Sequence, residues 1–438
     1  MKEQVHLGLQ GDKMAIFDNE ITEKRKERFI KTVGDNPPII LVGAGTVLGI
    51  PGGLDQTYPF IPHPDYYWLT GSWRSGGVAA FDADEGWTHF IRPVTKLERL
   101  WEGDPDSFEG EDIAALEDWM KAREGWPTVV LGSPVGEVEG DAELTPQIQE
   151  CLNAGRRRKD AAELEVLDRA VKATAAGHAR ASTFIGPGVT EREIQIELES
   201  EMFRNGAHGV GYGTIVGVGS HAAILHFSPG ERKVGPEDLV LIDAGGSIDG
   251  YTADVTRTYP GGEAFTPEQQ AIYDVVLEAE KEGVSQCRIG TEWHEVHGAS
   301  ARVLALGLRD LGIMKGDVDG LLEFGAIALF LPHGIGHMVG LGVRDVGGRA
   351  LDRDDIRSYC GIRIRVDLPL EDQFLMTVEP GIYFVPGLLD DPEKRETFRD
   401  MVDWNELERW RKVGGVRIED NVLVTEDGPK SITEEIPK

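Results

Sequence analysis

The stretch LVLIDAGGSIDGYTADVTRTYPGG, residues 239–262, has two β-rich runs on either side of a glycine-rich turn. The midpoint between Asp243 and Asp254 falls within that turn. If the hairpin is symmetric, the two carboxylates face each other across neighbouring strands, where opposed side chains lie about 5 Å apart. Because like charges repel at that distance, we expect a shared cation; a turn with two hydrated aspartates is the simpler alternative. Strand alternation places Thr252 and Thr256 on the Asp254 face as supporting hydroxyls.

Two histidines lie further along the chain in FLPHGIGHMVGLG, residues 330–342. His333 and His337 are four residues apart, as in HExxH zinc helices, but the glutamate is missing and the glycines disfavour a regular helix. A zinc protease of that kind is therefore not expected. A structural role for either histidine remains an alternative.

Two glutamates interrupt apolar strand-like runs, Glu379 in TVEPGIYF and Glu419 in GGVRIEDNVLV. A carboxylate within an apolar strand is unfavourable unless it is ion-paired or bound to a metal. Because Glu379 precedes a proline, its strand should end there or lie at a sheet edge. A salt bridge is the alternative for each glutamate.

Together these segments supply four carboxylates and an imidazole. Such a set of hard oxygen ligands suits a pair of divalent cations such as Mn²⁺, with Co²⁺ or Zn²⁺ as alternatives. Two cations can activate a water molecule and polarise a carbonyl group, so the pattern predicts a hydrolase.

The ordered motifs IDAGG, ADVT, PHGIGH, TVEPGIYF and GGVRIED resemble those of the pita-bread metallopeptidases, the family of methionine aminopeptidase, aminopeptidase P and prolidase. The resemblance covers roughly residues 209–428. It implies an α+β protein in which an N-terminal creatinase-like α/β domain precedes a C-terminal pita-bread domain. It also implies that the metal ligands are Asp243, Asp254, His337, Glu379 and Glu419, with Glu379 as acid/base partner of the activated water.

The resemblance assigns further roles around these ligands. His226, in AILHF, and His333 match histidines that contact substrate. Arg417 matches an arginine beside the metal ligands, and Tyr212 a prolidase tyrosine near the first aspartate.

Three other residues match or replace family residues that contact substrate. Arg365, fourteen residues before Glu379, matches the prolidase arginine that binds the substrate carboxylate; pairing with Asp352, Asp354 or Asp355 is the alternative. Arg344 stands where the family has a histidine, so it either supplies a permanent positive charge or marks a changed substrate. Trp101 matches a tryptophan near the partner subunit's pocket in a homodimer; packing within its own domain is the alternative.

The sequence that follows Glu379 resembles that of prolidase most, so we expect a Xaa-Pro dipeptidase acting on dipeptides or short peptides. Aminopeptidase P, which accepts longer peptides, is the main alternative. A non-catalytic peptide-binding module and a hydrolase of organophosphate esters are further possibilities within the family.

A break in the helical pattern at residues 153–160 suggests a boundary near Asn153, with domains at residues 1–155 and 156–438. In the first domain, short apolar runs at 39–42, 77–81 and 128–131, with a helix at 111–123, predict a mixed or parallel sheet. After the boundary the sequence predicts a long helix ending before Pro187 and a second helix capped by Thr190 and Glu193, followed by β-rich text.

The chain has 438 residues with 76 acidic and 45 basic side chains, a net charge of −31. Such a surface repels nucleic acid and anionic lipid. The chain has no signal-like start and no apolar run of the roughly 20 residues that a membrane span needs, so we expect a cytoplasmic protein. The three cysteines are far apart, which argues against disulfides or a thiolate zinc site.

Overall fold

The computed structural model describes residues 16–103, 106–349, 353 and 357–438, and the chain divides into two compact units, Met1–Arg156 and Arg157–Lys438. One helix continues to Arg157, so the helical pattern breaks after that residue, within the predicted range of 153–160. The next helix begins at Ala161, with Asp160 as its cap.

The N-terminal unit contains a five-stranded mixed sheet. Its strands are β1 (Ile39–Gly43), β2 (Val78–Asp82), β3 (Gly86–Ile91), β4 (Glu111–Asp112) and β5 (Thr128–Gly132), in the order β4-β3-β2-β1-β5. β1 pairs in parallel with β5 and antiparallel with β2, which confirms the predicted mixed sheet. The helices are α1 (Asn19–Val33), α2 (Pro64–Thr70), α3 (Lys96–Glu102), α4 (Leu116–Lys121) and α5 (Leu144–Arg157).

The helix predicted at 111–123 is wrong in its first half. Glu111 and Asp112 form β4 instead, and the Asp112 side chain accepts a hydrogen bond from the Ala114 backbone N–H. This turn starts a single 3₁₀ turn before α4, so the regular helix is only six residues long.

Eight helices are described in the C-terminal unit. They are α6 (Ala161–Phe184), α7 (Glu191–Arg204), α8 (Pro267–Gln286), α9 (Trp293–Asp310), α10 (Val318–Glu323), α11 (Pro386–Leu389), α12 (Pro392–Thr397) and α13 (Trp404–Trp410). The capping box of Thr190 and Glu193 at the start of α7 is confirmed. Among the described helices, none combines the length and apolar character needed to cross a bilayer.

The strands of this unit form several small sheets. They are β6 (Gly209–Val210), β7 (Ile215–Val218), β8 (Leu239–Ala244), β9 (Gly246–Ile248), β10 (Tyr251–Thr252), β11 (Val255–Pro260), β12 (Gly348–Arg349), β13 (Ser358–Tyr359), β14 (Ile362–Arg363), β15 (Val366–Asp367), β16 (Leu375–Val378), β17 (Gly381–Tyr383), β18 (Gly415–Arg417), β19 (Asp420–Thr425) and β20 (Gly428–Ser431). The sheets β11-β8-β7, β16-β19-β20 and β17-β18 carry the residues discussed below.

β8 is buried on both faces, which explains its continuous apolar run. Leu239 and Leu241 belong to the large core that includes residues of α8 and α9. Val240 and Ile242 belong to a second core formed with α6 and α7. The strand therefore presents its one charged residue, Asp243, near its C-terminal end.

The hairpin that carries Asp243 and Asp254 is not symmetric. Asp243 lies opposite Thr256, and Asp254 precedes β11, so the two aspartates do not face each other directly. A small extra hairpin, β9 and β10, occupies the turn, and Asp249 and Gly250 there have φ angles of 50° and 88°. Because Asp254 is two residues from Thr256, the aspartates still share one face as diagonal neighbours.

Candidate metal centre

The five predicted metal ligands line one cavity of about 750 Å³ in the C-terminal unit. The same wall includes most of the other predicted site residues: Tyr212, His226, His333, Arg344, Arg365 and Arg417. Trp101 belongs to the N-terminal unit and is treated below.

Breaks in the strands place the two glutamates. The run around Glu379 is divided into β16 and β17, and the run around Glu419 into β18 and β19. At one break the Glu419 N–H donates to the Thr256 carbonyl oxygen at 3.1 Å. The strand before Glu379 ends there, as the following proline predicted, whereas Glu419 lies between two strands rather than within one continuous strand.

Asp254, His337 and Glu419 bring ligand atoms within 4.8 Å of one another. His337 Nε2 lies 3.4 Å from Asp254 Oδ2 and 3.9 Å from Glu379 Oε1. Its Nδ1 lies 2.9 Å from the Met338 carbonyl oxygen, to which it can donate its proton. That tautomer leaves the Nε2 lone pair facing the carboxylates, the arrangement a metal-binding histidine requires.

Asp243 is held by two donors. The Tyr212 hydroxyl donates to Oδ1 at 2.7 Å, and Arg417 donates to Oδ2 at 2.5 Å. The Arg417 guanidinium also donates to the Thr256 hydroxyl at 2.9 Å and to the Tyr383 hydroxyl at 2.8 Å. Arg417 is only 3% exposed, so these bonds fix one carboxylate in a site shielded from water.

The two predicted threonine hydroxyls behave differently. Thr256 donates to Glu419 Oε2 at 2.6 Å, which fits the expected supporting role. Thr252 instead donates to the Gly250 carbonyl oxygen within the extra hairpin, so its predicted role is wrong.

The electrostatics of the cluster favour a bound cation. Burial raises the pKa of Asp243, and it raises the pKa of Glu379 to about 7. It raises the pKa of Glu419 well above its usual range, and the charge of Asp254 adds to each of these shifts. Burial alone would lower the pKa of His337, but its hydrogen bond to Asp254 raises it overall. These oxygen ligands with one imidazole therefore fit a divalent cation, which would supply the missing positive charge.

A second carboxylate–histidine group contrasts with this cluster. Glu292, His294 and Asp367 also bring possible ligand atoms within 4.8 Å of one another. There Arg353 donates to Glu292 at 2.8 Å and to Asp367 at 2.9 Å. Arg357 lies 3.1 Å from the other oxygen of Asp367, so two arginines balance the two carboxylates without a metal ion.

His333 is held in a fixed orientation. Its Nδ1 lies 2.9 Å from the Gly334 carbonyl oxygen, and its Nε2 lies 2.8 Å from the Tyr383 hydroxyl. Burial, with a smaller contribution from Arg417, lowers its pKa to about 3. The ring is therefore neutral, and its Nδ1 is 3.8 Å from Glu379 Oε2.

The other cavity residues are more exposed. His226 lies in an irregular loop after a 3₁₀ helix, so this part of the region predicted to be rich in β-structure is not a strand. Arg344 and Arg365 form no ion pair with a carboxylate in the part of the chain that the structure describes. The alternative partners of Arg365, namely Asp352, Asp354 and Asp355, lie outside the described residues.

Trp101 lies on the exposed helix α3, none of whose side chains is buried. It is 75% exposed, so packing of this side chain within its own domain is ruled out. Leu97 precedes Leu100 by three residues and Trp101 by four, and the two leucines are 63% and 78% exposed. The helix therefore presents an apolar stripe to solvent.

The sequence analysis missed two polar residues that support the site. Tyr383 joins His333 to Arg417, and it lies within the motif TVEPGIYF, where a buried hydroxyl needs a partner. Asn421 forms paired hydrogen bonds with the backbone of Asp254. The two are 167 residues apart, and nothing in either local sequence indicates the contact.

Comparisons with known proteins identify both units. Residues 165–426 match metallopeptidase family M24, and residues 22–117 match the aminopeptidase P N-terminal domain. The chain is 31% identical over 395 residues to a probable Xaa-Pro aminopeptidase of Botryotinia fuckeliana, covering 86% of each chain. It is 31% identical over 435 residues to a probable Xaa-Pro aminopeptidase of Podospora anserina, covering 94% of this chain and 93% of that one.

Solved structures of aminopeptidases have the same fold as this chain. An aminopeptidase from Pseudomonas aeruginosa superposes with a TM-score of 0.77 at 28% identity, over 96% of each chain. Aminopeptidase P from E. coli with the inhibitor Pro-Leu gives the same TM-score, identity and coverage. The α+β fold with an N-terminal domain before a pita-bread domain is thereby confirmed.

The expectation of a Xaa-Pro dipeptidase is wrong. These relatives and structural neighbours are named aminopeptidases, the reading that the sequence analysis gave as the alternative. The sequence after Glu379 did not predict the substrate class correctly, because prolidase and aminopeptidase P share the metal-site motifs. The chain belongs to metallopeptidase family M24, in the creatinase/prolidase branch that carries an N-terminal domain before the M24 domain.

Proposed function

We propose that this protein is a Xaa-Pro aminopeptidase that removes the N-terminal residue from peptides with proline in second position. The observation that carries the proposal is the cavity that His337 lines together with four buried or nearly buried carboxylates. The relatives named Xaa-Pro aminopeptidase support the substrate class. We further propose that two divalent cations, Mn²⁺ in preference to Co²⁺ or Zn²⁺, are held by Asp243, Asp254, His337, Glu379 and Glu419.

When bound, the cations would activate water and polarise the scissile carbonyl group. Glu379 would carry the proton from the attacking water to the leaving proline nitrogen. It is suited to that role because its side chain lies between His337 and His333 on the cavity wall. Arg417 and Tyr212 would keep Asp243 oriented throughout.

Four other residues would bind the peptide. His226 would donate a hydrogen bond to the substrate near the reacting bond, and His333, whose ring nitrogens already have partners, would support the substrate from the cavity wall. Arg344 and Arg365 add two guanidinium groups without carboxylate partners among the described residues, suited to carbonyl oxygens of the leaving peptide. Arg344 would take the place that a histidine has in the related family members.

We also propose a homodimer in which α3 is covered by a second copy. Its exposed stripe of Leu97, Leu100 and Trp101 supports this, because an apolar stripe on a surface helix favours association. Sedimentation should show a dimer that dissociates when Leu97 and Leu100 are both replaced by glutamate. A monomeric wild-type protein at assay concentration would contradict the proposal.

The substrate proposal is tested by incubating Mn²⁺-loaded protein with matched peptides. These are Xaa-Pro-Yaa-Zaa, Xaa-Ala-Yaa-Zaa and the N-acetylated proline peptide, with products identified by mass spectrometry. We expect release of the free N-terminal residue from the first peptide only. Cleavage of the acetylated peptide, cleavage after proline, or no cleavage of the first peptide would contradict the proposal.

A further inference from the structure

A buried cluster of charges lies next to Glu419, on side chains that do not line the cavity. Its carboxylates, Glu280 and Asp420, are both 0% exposed. Its cations are Arg257, 1% exposed, and Lys438, whose side chain is 24% exposed. Two negative charges thus meet two positive charges, and none of the four takes part in the proposed chemistry.

Arg257 ties this cluster to the backbone of the proposed ligand. It donates to the carbonyl oxygen of Glu419 at 2.7 Å and to that of Thr256 at 2.9 Å. It also donates to Asp420 at 2.7 Å and to the Ile436 carbonyl oxygen at 2.8 Å. Because the Thr256 hydroxyl donates to the Glu419 carboxylate, one guanidinium fixes both the ligand and its hydrogen-bond donor.

Lys438 completes the charge balance. Its Nζ lies 2.6 Å from Asp420 Oδ2 and 2.7 Å from Glu280 Oε1. Without this ammonium group, Arg257 alone would have to balance two buried carboxylates. Leaving a buried charge uncompensated is strongly unfavourable, so the segment carrying Lys438 and the start of β19 would be expected to shift.

The same segment also reaches Asp254. The Ser431 and Thr433 hydroxyls donate to Asp420 at 3.1 and 2.9 Å. The Thr433 hydroxyl accepts the Asn421 backbone N–H at 3.0 Å, and Asn421 pairs with the backbone of Asp254. Residues 431–438 are therefore linked, through Asp420 and Asn421, to the segments that carry the proposed ligands Glu419 and Asp254.

We propose that Lys438 is a positioning residue for the metal centre: by neutralising Asp420 and Glu280, it holds Glu419 where it can bind a divalent cation. This inference rests on the proposed function, since it takes Glu419 as a ligand. Lys438 would therefore raise the affinity for the metal, although its side chain does not line the cavity.

The test is calorimetric titration of MnCl₂ into metal-free full-length protein, compared for wild type, Lys438→Met, Lys438→Arg and Lys430→Met. Lys430 lies on β20 and is exposed, so it is a matched control for loss of a lysine. We expect Lys438→Met to weaken Mn²⁺ binding about 10- to 100-fold, the usual effect of losing a residue that orients a ligand. Lys430→Met should bind as wild type does, and Lys438→Arg should restore most of the affinity.

Thermal unfolding of the metal-free variants separates positioning from general stability. A Lys438→Met protein with wild-type Mn²⁺ affinity would overturn the inference, whatever its unfolding temperature. If that variant does not fold, Ser431→Ala, which removes one donor to Asp420, should weaken binding several-fold; unchanged affinity would then overturn it. Wild-type binding by Glu419→Gln would instead refute the ligand assignment, and with it the proposed function.

Discussion

Arg417 shows how much of the proposed metal centre depends on one side chain. Its guanidinium contacts Asp243, Thr256 and Tyr383 at once, and burial leaves no water to replace those bonds. A lysine keeps the charge but has no planar group to donate in three directions. We expect Arg417→Lys to lower kcat/KM about 10- to 100-fold and to weaken metal binding. Arg399→Lys, a change at an exposed arginine, is the control, and equal kinetics in the two variants would contradict this role.

At the scale of elements, the start of α7 organises the loop that carries His226. The buried Glu191 side chain accepts from the Val218 N–H at 3.0 Å and the Gly230 N–H at 3.1 Å, and it lies 2.7 Å from His221 Nδ1. It therefore fixes both ends of the loop. Glu191→Gln should raise KM several-fold, because an amide cannot accept all of these donors.

Thr190→Ala is the matched control at the same helix terminus. Loss of the cap should cost about 1 kcal/mol and lower the Tm while leaving KM unchanged. If both variants raise KM in proportion to their loss of stability, the loop effect is not specific to Glu191.

Local sequence predicted well those elements whose signals are local. The capping box at Thr190 and the end of the long helix before Pro187 follow from signals within a few residues. The end of the strand at Glu379 was indicated by the proline that follows, but the break at Glu419 was not, because the apolar runs on either side of it resemble a single strand. The shift of the Asp243 hairpin depends on the small hairpin β9–β10, and the support from Asn421 depends on a contact far along the chain, so neither could be found by periodicity.

At the scale of the whole molecule, buried histidines lower the free energy of unfolding at acidic pH. Burial lowers the pKa of His178 to about 3, while the unfolded value is about 6.5. The unfolded state therefore binds more protons between these values, and stability falls as the pH drops below about 6.5, by up to about 1.4 kcal/mol per pH unit for this group.

Replacing His178 by glutamine should remove the uptake of one proton on unfolding between about pH 4 and 6. The slope of the unfolding free energy against pH should then fall by up to about 1.4 kcal/mol per pH unit. Urea unfolding across that range measures the slope. His208→Gln, at a histidine whose side chain is 54% exposed, is the control. An unchanged slope in the His178 variant would contradict the prediction.

The central claim is that the buried carboxylates and His337 form a metal centre that hydrolyses peptides. The most direct test adds Mn²⁺ stepwise to metal-free protein and measures, in the same samples, the metal bound per chain and the release of the N-terminal residue from Xaa-Pro-Yaa-Zaa. We expect no hydrolysis without metal, activity that saturates as two cations bind, and loss of both binding and hydrolysis in Asp254→Asn. Full hydrolysis by protein shown by elemental analysis to be metal-free would contradict it.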